Sequence, residues 1–159
     1  MDLKLTGQSA VVTGATKGIG RAIIEALSDE GCNIAVCARN ADEVAATVEA
    51  MQAKGVKATG KALDVTDGDA FKGWIADAGA ELGGLDIFVS NVSGGNAPGD
   101  AGWLSQFNGN ILTAVHGVEA CMPFLEASSN GSIIMISTTA AVEQFMNAGP
   151  YNAMKAALL

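Results

Sequence analysis

Positive charge is scarce in this sequence. Its 159 residues include nine Lys and Arg against seventeen Asp and Glu, which gives a formal net charge of -8 at pH 7. An acidic protein repels polyanions, so nucleic acid is disfavoured as a partner and any bound phosphate must be held by a local cluster of donors. Long apolar runs are missing too, because no stretch approaches the ~18 residues that span a membrane.

Cysteine and histidine are few and dispersed. Cys32, Cys37 and Cys121 lack CxxC spacing and fall within apolar stretches, so we interpret them as core residues and not as metal ligands or disulfides. His116 is the only histidine, and nothing near it in the sequence suggests a metal site or a catalytic triad. The N-terminus shows no charged segment followed by an apolar leader. These absences predict a soluble cytoplasmic protein with no metal and no membrane partner.

Short β-branched runs alternate with longer segments of helical period. The order is SAVVTG, GRAIIEALSDEG, NIAVCAR, ADEVAATVEAMQAKG, VKATGKALDV, GDAFKGWIADAGAELGG, LDIFVS, a long helix from about Trp103 to Leu125, GSIIMIS and a final helix at Pro150. Uniformly apolar strands separated by helices are typical of a parallel sheet covered on both faces. The sequence therefore predicts an α/β fold with a doubly wound parallel sheet, in one domain over residues 1–159.

A glycine-rich turn lies between the first predicted strand and the first predicted helix. In TGATKGIGR, Gly14, Gly18 and Gly20 have a GxxxGxG spacing, which is a variant of the dinucleotide-binding fingerprint. Glycine there permits a tight turn, close approach to a pyrophosphate and a helix N-terminus directed at that anion. A Walker loop is excluded because no GK[ST] follows the glycines. The turn predicts a dinucleotide-binding site.

The end of the second strand indicates which dinucleotide binds. An acid at this place bonds the ribose hydroxyls of NAD and repels a 2'-phosphate. In AVCARN, Ala38 stands where that acid would be, and Arg39 follows it. Arg39 can bind a phosphate through two parallel hydrogen bonds, and Lys17 in the glycine loop adds a second positive charge. The alternative is that both are ordinary surface cations. We predict NADP(H) as the cofactor.

A tyrosine and a lysine lie four residues apart at the start of the final helix. Tyr151 and Lys155 share one helix face, and Pro150 suits the first turn. A free tyrosine titrates near pH 10, which is too high for easy proton exchange at neutral pH. A lysine cation at ~4 Å and an effective dielectric of ~20 stabilises the phenolate by about 4 kcal/mol, or roughly three pK units. The pair predicts proton transfer to or from a substrate.

These motifs resemble those of the classical short-chain dehydrogenases/reductases. TGxxxGIG matches Thr13 to Gly20, and YxxxK matches Tyr151 to Lys155. The resemblance covers essentially the whole chain. It implies a Rossmann-like sheet with five strands in the order 3-2-1-4-5; the family's sixth and seventh strands and its substrate lid are expected to be missing, which leaves GSIIMIS as an exposed edge.

The resemblance also implies an activity. Members of the family interconvert a carbonyl and a secondary alcohol by hydride transfer, and we expect a 3-oxoacyl reductase-like enzyme that uses NADP(H) and acts on a small-molecule substrate. The full-length form is expected to be a homo-oligomer, either a dimer or a tetramer. The alternative is a truncated NADP(H)-binding module or sensor with little or no catalysis.

Catalytic roles carry over from the family by position. Tyr151 is the proton donor, and Lys155 lowers the tyrosine pKa and holds the nicotinamide ribose. The hydroxyl that positions the carbonyl oxygen is Thr138, thirteen residues before the tyrosine, or Ser137 just ahead of it. A regular strand cannot direct both hydroxyls into one pocket. We rank Thr138 first because it matches the position of the family's serine.

Further positions match the family's water-binding and cofactor-binding residues. Asn110 matches the asparagine that helps to hold a water linked to the lysine, with Asn108 as a rival. The segment FVSNVSGG replaces the usual NNAG and keeps its second asparagine at Asn91. The residues that the resemblance assigns to the cofactor are Gly14, Thr16, Lys17, Gly18, Ile19, Gly20, Arg39, Asp64, Val65, Asn91, Tyr151 and Lys155.

Overall fold

A parallel sheet forms the centre of the computed structural model, which describes residues 3–95, 97–143 and 149–159. Within these residues the strands are β1 (Ser9–Thr13), β2 (Asn33–Ala38), β3 (Ala58–Ala62), β4 (Ile87–Ser90) and β5 (Ser132–Met135). Their order is β3-β2-β1-β4-β5, and every neighbouring pair is parallel. The predicted Rossmann-like sheet and its strand order are confirmed.

Helices connect the strands and cover both faces of the sheet. In the described part of the chain they are α1 (Gly18–Asp29), α2 (Ala41–Gln52), α3 (Gly68–Leu82), α4 (Gly99–Gln106), α5 (Thr113–Ala127) and α6 (Pro150–Ala156). Alternate strand residues point to opposite faces. Val11 and Phe88 therefore pack with residues of α3 and α5, whereas Val12 and Val36 pack with residues of α1 and α2. The sheet is doubly wound, as the apolar strand pattern predicts.

The long helix differs from the sequence prediction, which placed it from about Trp103 to Leu125. The helical segment begins at Gly99 and ends at Ala127, and a π turn at Phe107–Leu112 separates α4 from α5. The backbone NH of Thr113 bonds the Asn108 carbonyl five residues earlier, and the Thr113 hydroxyl donates to the same oxygen at 3.0 Å. The wider turn changes which residues face the sheet, and such turns are frequent at functional sites.

The three cysteines lie in the core, as the sequence predicts. Cys32, Cys37 and Cys121 are fully buried and are not paired as disulfides. Burial raises the pKa of each thiol to about 12. The thiols therefore stay protonated at neutral pH and pack as small apolar groups.

The β5 strand is an edge of the sheet. Ile133 and Ile134 are 40% and 45% exposed, which is unusual for large apolar residues in a strand. The strand pairs with β4 on its other side. In the part of the chain that the structure describes, no helix combines the length and the apolar character needed to cross a membrane.

The contact of α5 with the sheet depends on Gly117. A Cβ built on Gly117 would overlap the ring of Phe88, which is fully buried. We expect Gly117→Ala to lower the free energy of unfolding by about 1–3 kcal/mol, because the helix backbone or the buried ring must move. Chemical denaturation measures this change.

Gly73→Ala is the matched control for this substitution. Gly73 lies on the exposed face of α3, and an added Cβ meets no atom within 4 Å. The control should raise the free energy of unfolding by about 0.5–1 kcal/mol, because alanine favours a helix more than glycine does. Equal effects of the two substitutions would show that α5 does not pack against Phe88 as described.

Candidate active site

The glycine loop connects the carboxyl end of β1 to α1. Gly14 and Gly18 adopt φ values of +63° and +59°, which few other residues adopt without strain. A Cβ on Gly20 would lie 2.6 Å from the Gly14 carbonyl oxygen, so only glycine allows α1 to pack so close to the loop. Beside Gly18, by contrast, a Cβ would meet no atom within 4 Å. The loop thus leaves open space at a helix N-terminus, where an anion can be bound.

Asn91 holds this loop against the end of β4. Its side-chain amide donates to the carbonyl oxygens of Thr13 at 3.0 Å and Gly14 at 3.2 Å. Its backbone NH donates to the Thr13 hydroxyl at 2.9 Å, and that hydroxyl donates to the Val89 carbonyl at 3.4 Å. These bonds join the ends of the two central strands.

A cleft of about 760 Å³ opens where the strands end. Of the predicted cofactor-binding residues, the cleft is lined by Gly14, Thr16, Lys17, Arg39, Asp64, Val65 and Asn91. Gly18, Ile19 and Gly20 form the first turn of α1, directly after the lining residue Lys17, and the Ile19 side chain is exposed. The predicted catalytic residues do not line the cleft; they lie around β5, the π turn and α6.

The rim of the cleft carries both signs of charge. The NH and hydroxyl of Thr66 donate to Asp64 Oδ1 at 3.0 and 2.7 Å. These bonds hold the pKa of the Asp64 carboxyl below its usual value, and the positive charge of Arg39 adds to the effect. Arg39 is exposed and makes no ion pair with the residues that the structure describes.

Lys155 attaches α6 to the segment that follows β5. It is 3% exposed, and its ammonium group donates to the Ile136 carbonyl at 2.7 Å. Burial lowers the pKa of Lys155 below its ordinary value. Tyr151, half-buried, lies one turn earlier on the same face of α6.

The two candidate hydroxyls make different contacts. Ser137 Oγ donates to the Lys155 carbonyl at 3.0 Å, so it bonds the backbone of α6. Thr138 Oγ1 accepts the Ala140 NH at 3.4 Å and caps a short 3-10 turn at Thr139–Ala141, which the sequence did not predict. That contact does not use the hydroxyl proton of Thr138. Unlike the hydroxyl proton of Ser137, that of Thr138 therefore has no acceptor among the described residues.

Asn110 is buried in the π turn, which packs against α6. Its amide donates to the backbone oxygen of Gln106 at 2.9 Å and to Gln106 Oε1 at 2.7 Å. Its own Oδ1 has no hydrogen-bond partner among the described residues. Asn108, the rival, lines the cleft instead. A buried oxygen without a partner is the acceptor that a bound water would need.

One charged residue of the cleft was missed in the sequence. Glu43, in the first turn of α2, lines the cleft and contacts Thr16 and Lys17 of the glycine loop. The signal for it was the spacing from Asn40, which caps α2 and thereby places an acid three residues later beside the end of β2. Helical periodicity alone predicts that Glu43 is a solvent-exposed helix residue.

Comparison with known proteins gives consistent matches. A family model described as short chain dehydrogenase matches residues 8–159. A tropinone reductase homolog from Arabidopsis thaliana is 32% identical over 160 residues, which cover 97% of this chain and 61% of the relative. The chain thus spans about three fifths of the length of such relatives.

Two solved structures share the fold at similar identity. L-sorbose reductase from Gluconobacter frateurii, solved with NADPH and L-sorbose, has a TM-score of 0.92 at 30% identity, over 99% of this chain and 62% of that one. A 7α-hydroxysteroid dehydrogenase, solved with NADH and 7-oxo glycochenodeoxycholic acid, has a TM-score of 0.90 at 30% identity, over 98% of this chain and 63% of that one. Both nicotinamide cofactors therefore occur among the similar structures.

We expect Asn91→Ala to lower the free energy of unfolding by about 1–3 kcal/mol, because the Thr13 and Gly14 carbonyls lose a donor between the two central strands. Asn130→Ala is the control. Asn130 is exposed, and its amide donates to Ser129 Oγ at 3.3 Å, so its loss should change stability by less than about 0.5 kcal/mol. Urea unfolding compares the variants; an Asn91 variant as stable as the control would contradict the role of this link.

Proposed function

The chain belongs to the short-chain dehydrogenase family, and from this premise we propose that it is the dinucleotide-binding domain of an oxidoreductase that interconverts a carbonyl and a secondary alcohol. One observation carries the proposal: buried Lys155 fixes α6 beside the end of β5, with Tyr151 on the same helix face. Ligands of open α/β sheets bind at this carboxyl edge. Residues 1–159 are assigned to one domain.

The residues of the cleft fit a nicotinamide dinucleotide. The open space beside Gly18 at the start of α1 suits a pyrophosphate. Asp64 and Val65 follow β3, where we place the adenine, and Asn91 follows β4 near the ribose. Thr16, Ile19 and the loop glycines complete the phosphate side, and Tyr151 with Lys155 hold the nicotinamide ribose.

We propose NADP(H) as the cofactor that this domain prefers. Ala38 places no acid at the end of β2, and Arg39 lies exposed on the cleft wall without an ion pair among the described residues. A guanidinium in that setting can bind a 2'-phosphate through two hydrogen bonds. Lys17, in the glycine loop, lines the same cleft and adds a second cation.

The chain's own residues control the proton in this reaction. When bound, the nicotinamide supplies a hydride to the carbonyl carbon. Tyr151 donates its phenolic proton to the carbonyl oxygen, and in the reverse direction it accepts the alcohol proton. The ammonium of Lys155 stabilises the phenolate that remains. The Thr138 hydroxyl, or else that of Ser137, donates to the carbonyl oxygen, and Asn110 Oδ1 accepts from a water linked to Lys155.

A 3-oxoacyl thioester is the proposed substrate class, and a homo-oligomer is the proposed assembly. We expect the chain to oxidise NADPH with a ketone, and Tyr151→Phe to lower kcat by about 10²–10⁴-fold because phenylalanine has no proton to donate. NADPH affinity, followed by fluorescence titration, should change by less than about tenfold. Absorbance of NADPH follows turnover with a 3-oxoacyl thioester, L-sorbose and an oxo-steroid.

The outcomes separate the two candidate functions. Equal rates for the wild type and Tyr151→Phe would rule out the catalytic assignment. Saturable NADPH binding without turnover of any ketone would instead favour the alternative, an NADP(H)-binding module or sensor. Absence of saturable dinucleotide binding would contradict both candidates.

A second pair of variants tests which hydroxyl acts on the substrate. Thr138→Val keeps the branched shape and removes the hydroxyl, so kcat should fall by about 10²-fold. Ser137→Ala removes the bond to the Lys155 carbonyl and should cost about 1 kcal/mol of stability, with kcat within a few-fold of wild type. The reverse pattern of kcat values would transfer the role to Ser137.

A further inference from the structure

A carboxylate connects the glycine loop with the start of α2 at the cleft. Thr16 Oγ1 donates to Glu43 Oε2 at 2.9 Å, and Lys17 Nζ lies 3.8 Å from Glu43 Oε1. Thr16, Lys17, Glu43 and Arg39 line the same cleft. Both carboxylate oxygens of Glu43 are thus directed at donors on the wall where an anionic ligand would bind.

The backbone of α2 fixes where this carboxylate lies. Asn40 caps the helix by accepting the NH groups of Asp42 and Glu43 at 2.9 and 3.1 Å. The Thr47 hydroxyl donates to the Glu43 carbonyl at 2.7 Å, and Arg21 donates to that hydroxyl at 3.2 Å. A glutamate at this place in a capping box turns back to the cap, but Glu43 extends to the loop.

We propose that Glu43 is a specificity-determining residue of the nucleotide cleft, which weakens binding of NADPH relative to NADH. The inference rests on the proposed function. A 2'-phosphate beside Arg39 would have to compete with the Glu43 carboxylate for Lys17 and Thr16, and the two anions would repel each other. A ribose 2'-hydroxyl has no such conflict and can donate to a carboxylate.

Glu43→Gln separates this electrostatic role from a structural one. The amide keeps the length of the side chain and an oxygen that can accept from Thr16, but it has no charge. Glu25→Gln is the matched control, because Glu25 also pairs with a cation, Arg21, at 2.7 Å and does not line the cleft. Both variants change the net charge of the protein by the same amount.

The test measures dissociation constants of NADPH and NADH by fluorescence titration of the wild type and both variants. Glu43→Gln should tighten NADPH binding by about three- to tenfold and leave NADH unchanged or weaker. Glu25→Gln should change neither by more than about twofold. The shift for Glu43→Gln should also shrink as ionic strength rises, because exposed charges are screened.

Several other outcomes would overturn the inference. Equal shifts for NADPH and NADH, or a shift that salt does not reduce, would assign Glu43 a structural role and overturn the inference. No shift, with normal binding of both dinucleotides, would overturn it too and leave the proposed function standing. If the wild-type chain binds neither dinucleotide, the proposed function fails, and the inference fails with it.

Discussion

The hydrogen bonds between the ends of β1 and β4 are the constraint on which the site depends. The chain leaves these neighbouring strands toward opposite faces of the sheet, because α1 covers one face and α5 the other. The divergence opens a crevice at the carboxyl edge. Asn91 and the Thr13 hydroxyl cross it and satisfy the backbone groups there, so the glycine loop keeps its shape beside an open cleft.

Lys155 fixes α6 to the segment that follows β5, the strand next to β4. Removing an ammonium group from water is costly, and one carbonyl bond from Ile136 offsets part of that cost. An apolar side chain could fill the same space without the free-energy cost of removing a charge from water. Packing alone therefore does not explain a buried cation one turn from a tyrosine, and this cation keeps α6 aligned with the end of β5.

Much of the fold followed from the sequence, whereas the site followed only in part. Apolar runs and glycine positions predicted the strands, their winding and the loop, because burial and φ restrict those residues strongly. The sequence could not place the π turn, in which Gly109 packs too close to Gly94 to leave room for a Cβ. It ranked Thr138 ahead of Ser137 but could not show what each hydroxyl contacts, because their partners lie on α6 and in a 3-10 turn. Glu43 was missed because a first-turn glutamate has several directions open to it.

The positions of the side chains in the π turn depend on the number of residues in that turn. It accommodates one residue more than an α-helix would over the same path. A one-residue deletion there would restore a regular helix and leave α4 and α5 in their places, but it would move the side chains within the turn to new positions around the helix. Asn110 would then no longer lie against α6, although every side chain except the deleted one would survive. In evolution, this segment should tolerate substitutions more readily than changes in length.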